Sequence, residues 1–261
     1  MPKRVCVSCT VPLTNDNISR EHILPEWVAE EVHQPELSLK HYRHNEDARE
    51  DELLRSHDLG SFAIKNVCQG CNNGWMSDLE GSAKPILLGL MNMKTSLLQL
   101  APDERSVISA WAIKTAFMIT SAQKTLPELP WPLFRGLASK PQEVPIQCIV
   151  VAAQLPFLPK SFLYACPADH MAASEALIHV RVGFSINKLH FVVVIPFLEA
   201  ERIVRTSGVQ LPLWPLDLEI RVAHKHFLTL TSPNDLINFL TGLVEVGVVS
   251  DSSPHERVQT R

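Results

Sequence analysis

The sequence predicts an α+β fold in which a small N-terminal metal-binding module precedes a larger domain of helices and antiparallel strands. Three patterns lead to this prediction. Two Cys-x-x-Cys pairs lie among the first 71 residues, a long segment at 102–123 has apolar residues at helical spacing, and several β-branched runs follow between residues 146 and 231. Helices repeat every 3.6 residues and strands every two, so these patterns indicate different elements in different parts of the chain.

The composition is that of a folded globular protein with a metal-binding segment. The chain has 261 residues, of which 46% are hydrophobic and 20% charged, and this excludes disordered and collagen-like chains. Six cysteines are too few for a disulfide scaffold of this size, and four of them stand in Cys-x-x-Cys pairs. Such pairs are typical of metal sites in a reducing compartment. We therefore expect a cytoplasmic protein, with neither a secretory signal nor a run of about 18 apolar residues that could span a membrane.

Charge is unevenly distributed along the chain. Residues 1–80 contain eight lysines and arginines against 14 acidic residues, a net charge of −6, whereas the remainder contains 16 against 14, a net charge of +2. This change predicts two units, a module at 1–80 and an α+β domain at 81–249, followed by a polar tail at 250–261. An acidic module repels phosphate, so a nucleic-acid partner would have to be attracted by a bound cation or by the second unit.

Local patterns predict the elements of the module. Pro25 suits a first helical position and predicts a short amphipathic helix over 25–33. The segment 41–52 is almost wholly polar, so we expect a solvated loop or loose helix there. Residues 61–67 alternate weakly between apolar and polar side chains, which predicts a strand that leads into the second cysteine pair.

The second unit is predicted to open with helices over 85–123. Its strongest helix covers 102–123 and begins with Pro102 and Asp103, residues that favour a helix N-terminus. The proline-rich segment 126–134 is expected to break regular structure after this helix.

Strands are predicted within 146–231, where β-branched residues are dense. A hairpin turn is expected at 185–188, because Asn187 tolerates a positive φ. A closing helix is predicted over 233–246, since Ser232 is a favourable N-cap residue.

The two Cys-x-x-Cys pairs supply four thiolates, from Cys6, Cys9, Cys68 and Cys71. Each such turn lets both sulfurs face one point, and two turns complete a tetrahedron with Zn–S bonds of about 2.3 Å. We therefore predict a structural zinc, whose closed shell leaves no open position for chemistry. The alternative is a redox dithiol or a set of buried cysteines. Cys148 and Cys166 lie in predicted strands and are expected in the core.

A second motif lies between and after the cysteine pairs. The segment Glu21-His22-Ile23-Leu24-Pro25 separates them, and Asn72 directly follows the last cysteine. The order Cys-x-x-Cys, Glu-His-Ile-x-Pro, Cys-x-x-Cys-Asn resembles the HNH, or ββα-metal, endonuclease family, and more narrowly its treble-clef members with a four-cysteine zinc. The resemblance covers residues 1–80. It implies that Glu21 and His22 lie on the first strand of a hairpin and that the helix of the ββα unit begins at Asn72.

The resemblance implies a metal-dependent endonuclease that hydrolyses phosphodiester bonds, with DNA favoured over RNA as its nucleic-acid substrate. His22 would act as general base, because a neutral imidazole can accept a proton from water at about pH 7. Glu21 and Asn72 would bind one Mg²⁺ or Mn²⁺ through hard oxygen ligands. Asn73 is the alternative ligand, with Asn72 then capping the helix.

The chain departs from the family pattern at two residues. Glu21 stands where aspartate is commoner, and its extra methylene moves the carboxylate. Trp75 stands where lysine or histidine is often found, and we expect it to pack in the core rather than to stack on bases. Asn66 and His57, ahead of the second cysteine pair, are further candidates because the family often places an asparagine there to position the loop.

The residues also fit two other functions. A non-catalytic treble-clef zinc-finger protein would bind nucleic acid or a protein partner through the same module, and the acidic charge of the module favours this alternative. In the third interpretation the second unit is the functional part and binds a ligand or partner, and the N-terminal module serves as its targeting module. His224 and His226 alternate on a predicted strand, where we expect a half-exposed face rather than a metal pair.

Overall fold

The computed structural model is a mixed helix and antiparallel-sheet structure, which confirms the predicted α+β class. Short strand pairs and helices make up the N-terminal half, and a five-stranded sheet lies in the C-terminal half. The structure describes residues 4–32, 38–43, 52–58, 63–122, 129–141, 143–145, 148–154, 163–167, 179–196, 202–205, 211–214 and 245–248. Within these ranges, no helix has both the length and the apolar character needed to cross a membrane.

The strand pair nearest the cysteines is short. β1 (Glu21–His22) pairs antiparallel with β4 (Ala63–Ile64). A bridge between Ile18 and Cys68 continues this pairing toward the second cysteine pair. In the described part of the strand predicted over 61–67, Ala63 and Ile64 are paired, and the bridge at Cys68 lies just beyond its end.

A helix and a second strand pair lie between β1 and β4. α1 (Glu26–Val32) confirms the helix predicted over 25–33. β2 (Ser38–Arg43) pairs antiparallel with β3 (Glu52–Asp58). The expectation of a loop or loose helix over 41–52 is therefore wrong at both of its described ends. Strand pairing is made by backbone N–H and C=O groups, so a polar sequence does not prevent it.

The second cysteine pair begins a kinked helix. α2 (Gln69–Cys71) continues through a wide turn at Asn72–Met76 into α3 (Ser77–Met91), and Gly74 interrupts the helical dihedral angles with φ −95° and ψ −117°. The predicted helix start at Pro85 is wrong, because Pro85 lies inside α3. The apolar face of α3 is buried on both sides of this proline, and that burial offsets the hydrogen bond that proline cannot donate.

α4 (Pro102–Ser121) confirms the helix predicted over 102–123. Every residue from Ile108 to Thr120 is buried, because α4 contacts both α3 and the strands of the C-terminal sheet. α5 (Trp131–Ser139) follows, so the expectation that 126–134 breaks regular structure holds for Leu129 and Pro130 but is wrong from Trp131 onward. Pro132 lies in the first turn of α5. The N–H groups of a first turn have no acceptor within the helix, so the N–H that proline lacks costs no hydrogen bond.

Beyond α5, the described elements are antiparallel strands. In chain order they are β5 (Ile149–Gln154), β6 (Leu163–Pro167), β7 (His179–Ile186), β8 (Leu189–Pro196), β9 (Arg202–Arg205), β10 (Leu211–Trp214) and β11 (Glu245–Val248). Five of them form one sheet in the order β10-β5-β8-β7-β6, and β9 pairs with β11. β7 and β8 form the predicted hairpin, and Asn187 at its turn has the expected positive φ of 53°.

The predictions of a closing helix and of two core cysteines can be compared with the structure only in part. The closing helix predicted over 233–246 is wrong at its end, because Glu245 and Val246 lie in β11 and pair with β9. Residues 233–244, the tail at 250–261, His224 and His226 lie outside the described residues. Cys148 is buried as predicted, whereas Cys166 lies on β6, whose side chains are not among those described.

A buried polar pair joins β7 and β8. Ser185 lies directly opposite His190, and its Oγ is 2.7 Å from Nδ1 of the imidazole. His190 is 1% exposed, and burial lowers its pKa to about 4. The folded protein therefore holds this ring in its neutral form at neutral pH.

We expect His190 to make the folded state sensitive to acid. Its pKa is about 6.5 in an unfolded chain and about 4 in the fold, so the unfolded state binds the additional proton between these values. The stability that the neutral ring contributes is complete above about pH 6.5 and is lost as the pH falls toward 4, by about 3 kcal/mol. Urea unfolding at about pH 7 and about pH 4.5 should show a smaller loss for His190→Gln than for the wild type. Equal losses in the two proteins would contradict this assignment.

Candidate metal centre and acid–histidine pair

The four cysteines of the two Cys-x-x-Cys pairs lie together in the structure. The sulfur atoms of Cys6, Cys9, Cys68 and Cys71 all lie within 4.8 Å of one another, and those of Cys9 and Cys68 are 3.6 Å apart. A tetrahedron with metal–sulfur bonds of about 2.3 Å has sulfurs about 3.8 Å apart. The cluster therefore has the dimensions of a metal site, and the predicted grouping of these cysteines is confirmed.

Local backbone structure directs both pairs to the same point. In the first pair, the Cys6 N–H donates to the Val11 carbonyl at 2.8 Å, and the Thr10 N–H donates to the Cys6 carbonyl at 2.9 Å. Thr10 has a φ of 64°, which closes the tight turn. In the second pair, Cys68 immediately precedes α2 and Cys71 ends it. The Cys68 N–H donates to the Cys6 sulfur at 3.3 Å, so the turn and the start of the helix are held together.

Burial governs the charge on the sulfurs. Burial raises the pKa of the Cys71 and Cys9 thiols above their ordinary value. Burial also acts to raise the pKa of Cys6, but the backbone N–H groups of Cys9, Cys68 and Ser8 lower it below its ordinary value. A bound cation removes the cost of holding thiolates away from water, so such a cluster favours a metal over four free thiols.

Side chains from other parts of the chain hold the cluster in place. Trp75 Nε1 donates to Ser8 Oγ at 3.1 Å, and the Trp75 ring meets Phe134 of α5 edge-on, with ring centroids 5.5 Å apart. Arg135 Nε, also of α5, donates to the Val7 carbonyl at 3.3 Å. Trp75 therefore packs against the core, as expected, and one hydrophobic cluster includes residues of the module and of the helices that follow.

The Glu21 carboxylate is buried and paired with a lysine. Glu21 is 4% exposed and forms an ion pair with Lys114 of α4, which is completely buried. Lys114 Nζ also donates to Oε1 of Glu80 on α3 at 2.6 Å. Burial alone would lower the pKa of Lys114, but the carboxylates of Glu21 and Glu80 raise it above its ordinary value. Lys114 is therefore an ammonium that two carboxylates share.

The other predicted site residues are more accessible. His22 is half-buried, and its Nδ1 lies 3.5 Å from Oε1 of Glu26. The Asn72 side-chain amide donates to Ser19 Oγ at 2.6 Å, whereas Asn73 is exposed. The structure thus brings Asn72 beside the chain that enters β1. Successive side chains of a strand point to opposite faces, which explains why Glu21 is buried while its neighbour His22 is not.

The two further candidates ahead of the second cysteine pair differ in their positions. Asn66 accepts the Val7 N–H at 3.0 Å with its backbone carbonyl, and it thereby ties the segment before Cys68 to the first cysteine turn. His57 lies on β3, whose side chains are outside the described part of the structure.

The predicted ligands fit a divalent ion less well than the cysteines fit a metal. Mg²⁺ and Mn²⁺ take oxygen ligands, but the Glu21 carboxylate is already paired with the Lys114 ammonium. A divalent ion at the same carboxylate would face that ammonium in a buried region, where like charges repel strongly. Asn72 keeps its amide oxygen for a ligand, since its nitrogen is the atom that donates to Ser19.

Three residues that contact the predicted site were not identified from the sequence. Lys114 is the one charged residue among 108–120, and a cation inside such a helix needs a buried partner, so this signal was available. Glu80 and Ser19 have no comparable signal, because their contacts depend on how α3 packs against α4 and how Asn72 meets the entering strand.

Comparison with known proteins identifies no relative of this chain. No protein-family model, no curated protein and no solved structure matches this chain. The function is therefore inferred from the residues and geometry of the site itself.

Proposed function

We propose that the chain is a metal-dependent endonuclease of the HNH type that hydrolyses phosphodiester bonds, with DNA favoured over RNA. One observation carries the proposal. The acid–histidine strand β1 pairs antiparallel with β4, the chain continues from β4 into the helix that bears the second cysteine pair, and Asn72 at the start of that helix is hydrogen-bonded to Ser19. This order of strand, strand and helix around a four-cysteine cluster supports a treble-clef, ββα-metal module.

Zinc is the proposed ion of the cysteine cluster. Four thiolates form a closed tetrahedral shell, which zinc favours and which leaves no open position for a reacting water. The proposed role of this zinc is structural: it joins the first cysteine turn to the start of α2 and so fixes β1 beside the helix. Catalytic chemistry is assigned to the side chains on and next to β1.

His22 is the proposed general base. Its Nδ1 lies 3.5 Å from the carboxylate of exposed Glu26, and a carboxylate on that side favours the tautomer with the proton on Nδ1. Nε2 then carries the lone pair that accepts a proton from the attacking water. The half-buried position of the ring leaves it accessible from solvent while its strand is held by β4.

Two exposed cations near β1 support a phosphate-bearing substrate. Arg20 immediately precedes β1 and Lys65 immediately follows β4, so both stand at the same end of the antiparallel pair. Both side chains are exposed, and the alternation along each strand places them on the face of His22 rather than on the buried face of Glu21. These charges offset the acidity of the module where a nucleic-acid backbone would approach.

Replacement of His22 tests the catalytic role. Cleavage of plasmid DNA by the zinc-loaded protein with Mg²⁺ or Mn²⁺ should fall about 10²- to 10⁴-fold in His22→Ala, because the general base is lost. Glu30→Ala, an exposed substitution on α1, is the matched control and should cut at the wild-type rate. Metal content and circular dichroism should be unchanged in both variants. Wild-type cleavage by His22→Ala, or intact DNA and RNA with every divalent ion, would contradict the proposal.

A non-catalytic treble-clef protein that binds nucleic acid or a protein partner is the second candidate. The ion pair between Glu21 and Lys114 favours it, because this pair occupies the carboxylate that the catalytic ion needs. In this case His22→Ala would bind nucleic acid as tightly as the wild type, and neither protein would cut it.

A further inference from the structure

Cys9 is the exposed member of the cysteine cluster. Cys6 is fully buried and Cys68 is 7% exposed, whereas Cys9 is exposed to solvent. The Cys9 sulfur lies 3.6 Å from the sulfur of Cys68, which belongs to the other Cys-x-x-Cys pair. The sulfur that a dissolved oxidant can reach is therefore in contact with a sulfur of the other cysteine turn.

We propose that the cluster is a redox switch in which hydrogen peroxide converts the thiolates of Cys9 and Cys68 into a disulfide. The inference rests on the proposed zinc, because a bound cation keeps the sulfurs deprotonated, and the thiolate is the form that reacts. The Cys9 thiolate attacks one peroxide oxygen, which breaks the O–O bond, releases hydroxide and leaves a sulfenic acid. The Cys68 thiolate then attacks the Cys9 sulfur and expels a second hydroxide. The two sulfurs lose two electrons, and the peroxide gains them.

The disulfide would replace the metal as the link between the two cysteine turns. Two of the four sulfur ligands are consumed, and the remaining two cannot form the closed tetrahedral shell that zinc favours, so zinc is released. Cys9 and Cys68 are 59 positions apart, and the acid–histidine strand β1 lies between them in the chain. The new bond therefore closes a long loop that contains β1, and a thiol reductant with added zinc should restore the original state.

Peptide mapping of the zinc-loaded protein after exposure to hydrogen peroxide tests the switch. No lysine or arginine lies within residues 5–19 or 66–83, so trypsin leaves each cysteine pair on its own peptide. We expect one disulfide to join these two peptides, with fragmentation placing it between Cys9 and Cys68. Zinc release, followed with a colorimetric chelator, should rise in step with the disulfide. Cys148→Ala, which removes a buried cysteine outside the cluster, should give the same result.

Urea unfolding distinguishes a disulfide that joins the turns from simple loss of the metal. The oxidised protein should unfold at a urea concentration at least about 1 M higher than the reduced, chelated protein, because the crosslink restricts the unfolded chain. Equal midpoints for these two samples would show that the turns are not joined and would overturn the switch.

The remaining outcomes separate the switch from the proposed function. Zinc release with a disulfide inside one pair, or with no disulfide, overturns the switch. Met93 is 46% exposed and reports that the oxidant has acted, so zinc retention in protein whose Met93 has become a sulfoxide also overturns it. If the zinc assignment fails, the protein contains no zinc before peroxide is added, and the presence or absence of the Cys9–Cys68 disulfide then decides. DNA cleavage enters none of these measurements.

Discussion

Removal of the metal proposed for the cysteine cluster is expected to unfold the region around β1 and α2. Structural zinc contributes about 10–16 kcal/mol to the folding of small zinc domains, whereas a whole domain is stable by only about 5–15 kcal/mol. The strands of this region are two residues long, and the hydrogen bond from Cys68 to the Cys6 sulfur joins its two cysteine turns. Without the ion, the metal–sulfur bonds that join the two cysteine turns are lost, and four free thiols remain.

The measurement is chelation of the metal, followed by near-ultraviolet circular dichroism and urea unfolding. Cys71→Ser should behave as the chelated protein does, because a hydroxyl is a poor zinc ligand. Cys148→Ala is the matched control: Cys148 is a buried cysteine on the approach to β5, outside the cluster, and its substitution should leave the metal content at the wild-type value. A metal-free protein with the wild-type spectrum and urea midpoint would contradict the structural role of the ion.

Lys114→Met is expected to destabilise the zinc-loaded protein, in the absence of other divalent ions, by about 3–5 kcal/mol. The substitution leaves the Glu21 carboxylate 4% exposed and without its counter-charge, and an uncompensated buried charge is costly. Urea unfolding gives the free energy of unfolding directly. Lys94→Met, at an exposed lysine, should change it by less than about 0.5 kcal/mol.

A double substitution separates the ion pair from the volume of the lysine side chain. Glu21→Gln combined with Lys114→Met removes both buried charges, so it should be more stable than Lys114→Met alone, because replacing both partners of a buried pair is often neutral. If the single and double variants unfold at the same urea concentration, loss of packing rather than of charge explains the effect of Lys114→Met.

The elements that the sequence predicted correctly are those whose signal is local. α4 was predicted from its N-terminal Pro102 and Asp103 and from its apolar spacing, and the β7–β8 hairpin from the conformational tolerance of Asn187. The cysteine cluster was predicted because two Cys-x-x-Cys turns need little beyond the residues between them. In each case a few neighbouring residues determine the local geometry, and it is the metal-ligand chemistry of thiolates that predicts the meeting of two cysteine turns 59 residues apart.

The errors arose where tertiary contacts override local preference. The sequence predicts a helix start at Pro85, but buried residues on both sides of it keep α3 continuous. The segment at 126–134 was expected to be irregular, yet Trp131 and Phe134 of α5 pack on each other and on Phe117 of α4. The pairing of Glu21 with Lys114 has no local signal, because the two residues lie 93 positions apart in the chain.

The continuity of α3 has a consequence for protein engineering. The predicted boundary at residue 80 falls inside this helix, and Glu80 itself holds Lys114 of α4. A fragment that stops there would end within the helix and would lose the contact between α3 and α4. It would also leave Glu21 without its counter-ion, Lys114. Moving the cysteine-bearing region to another scaffold would therefore require the chain through α5, because Lys114 of α4 pairs with Glu21 and Arg135 of α5 donates to the Val7 carbonyl.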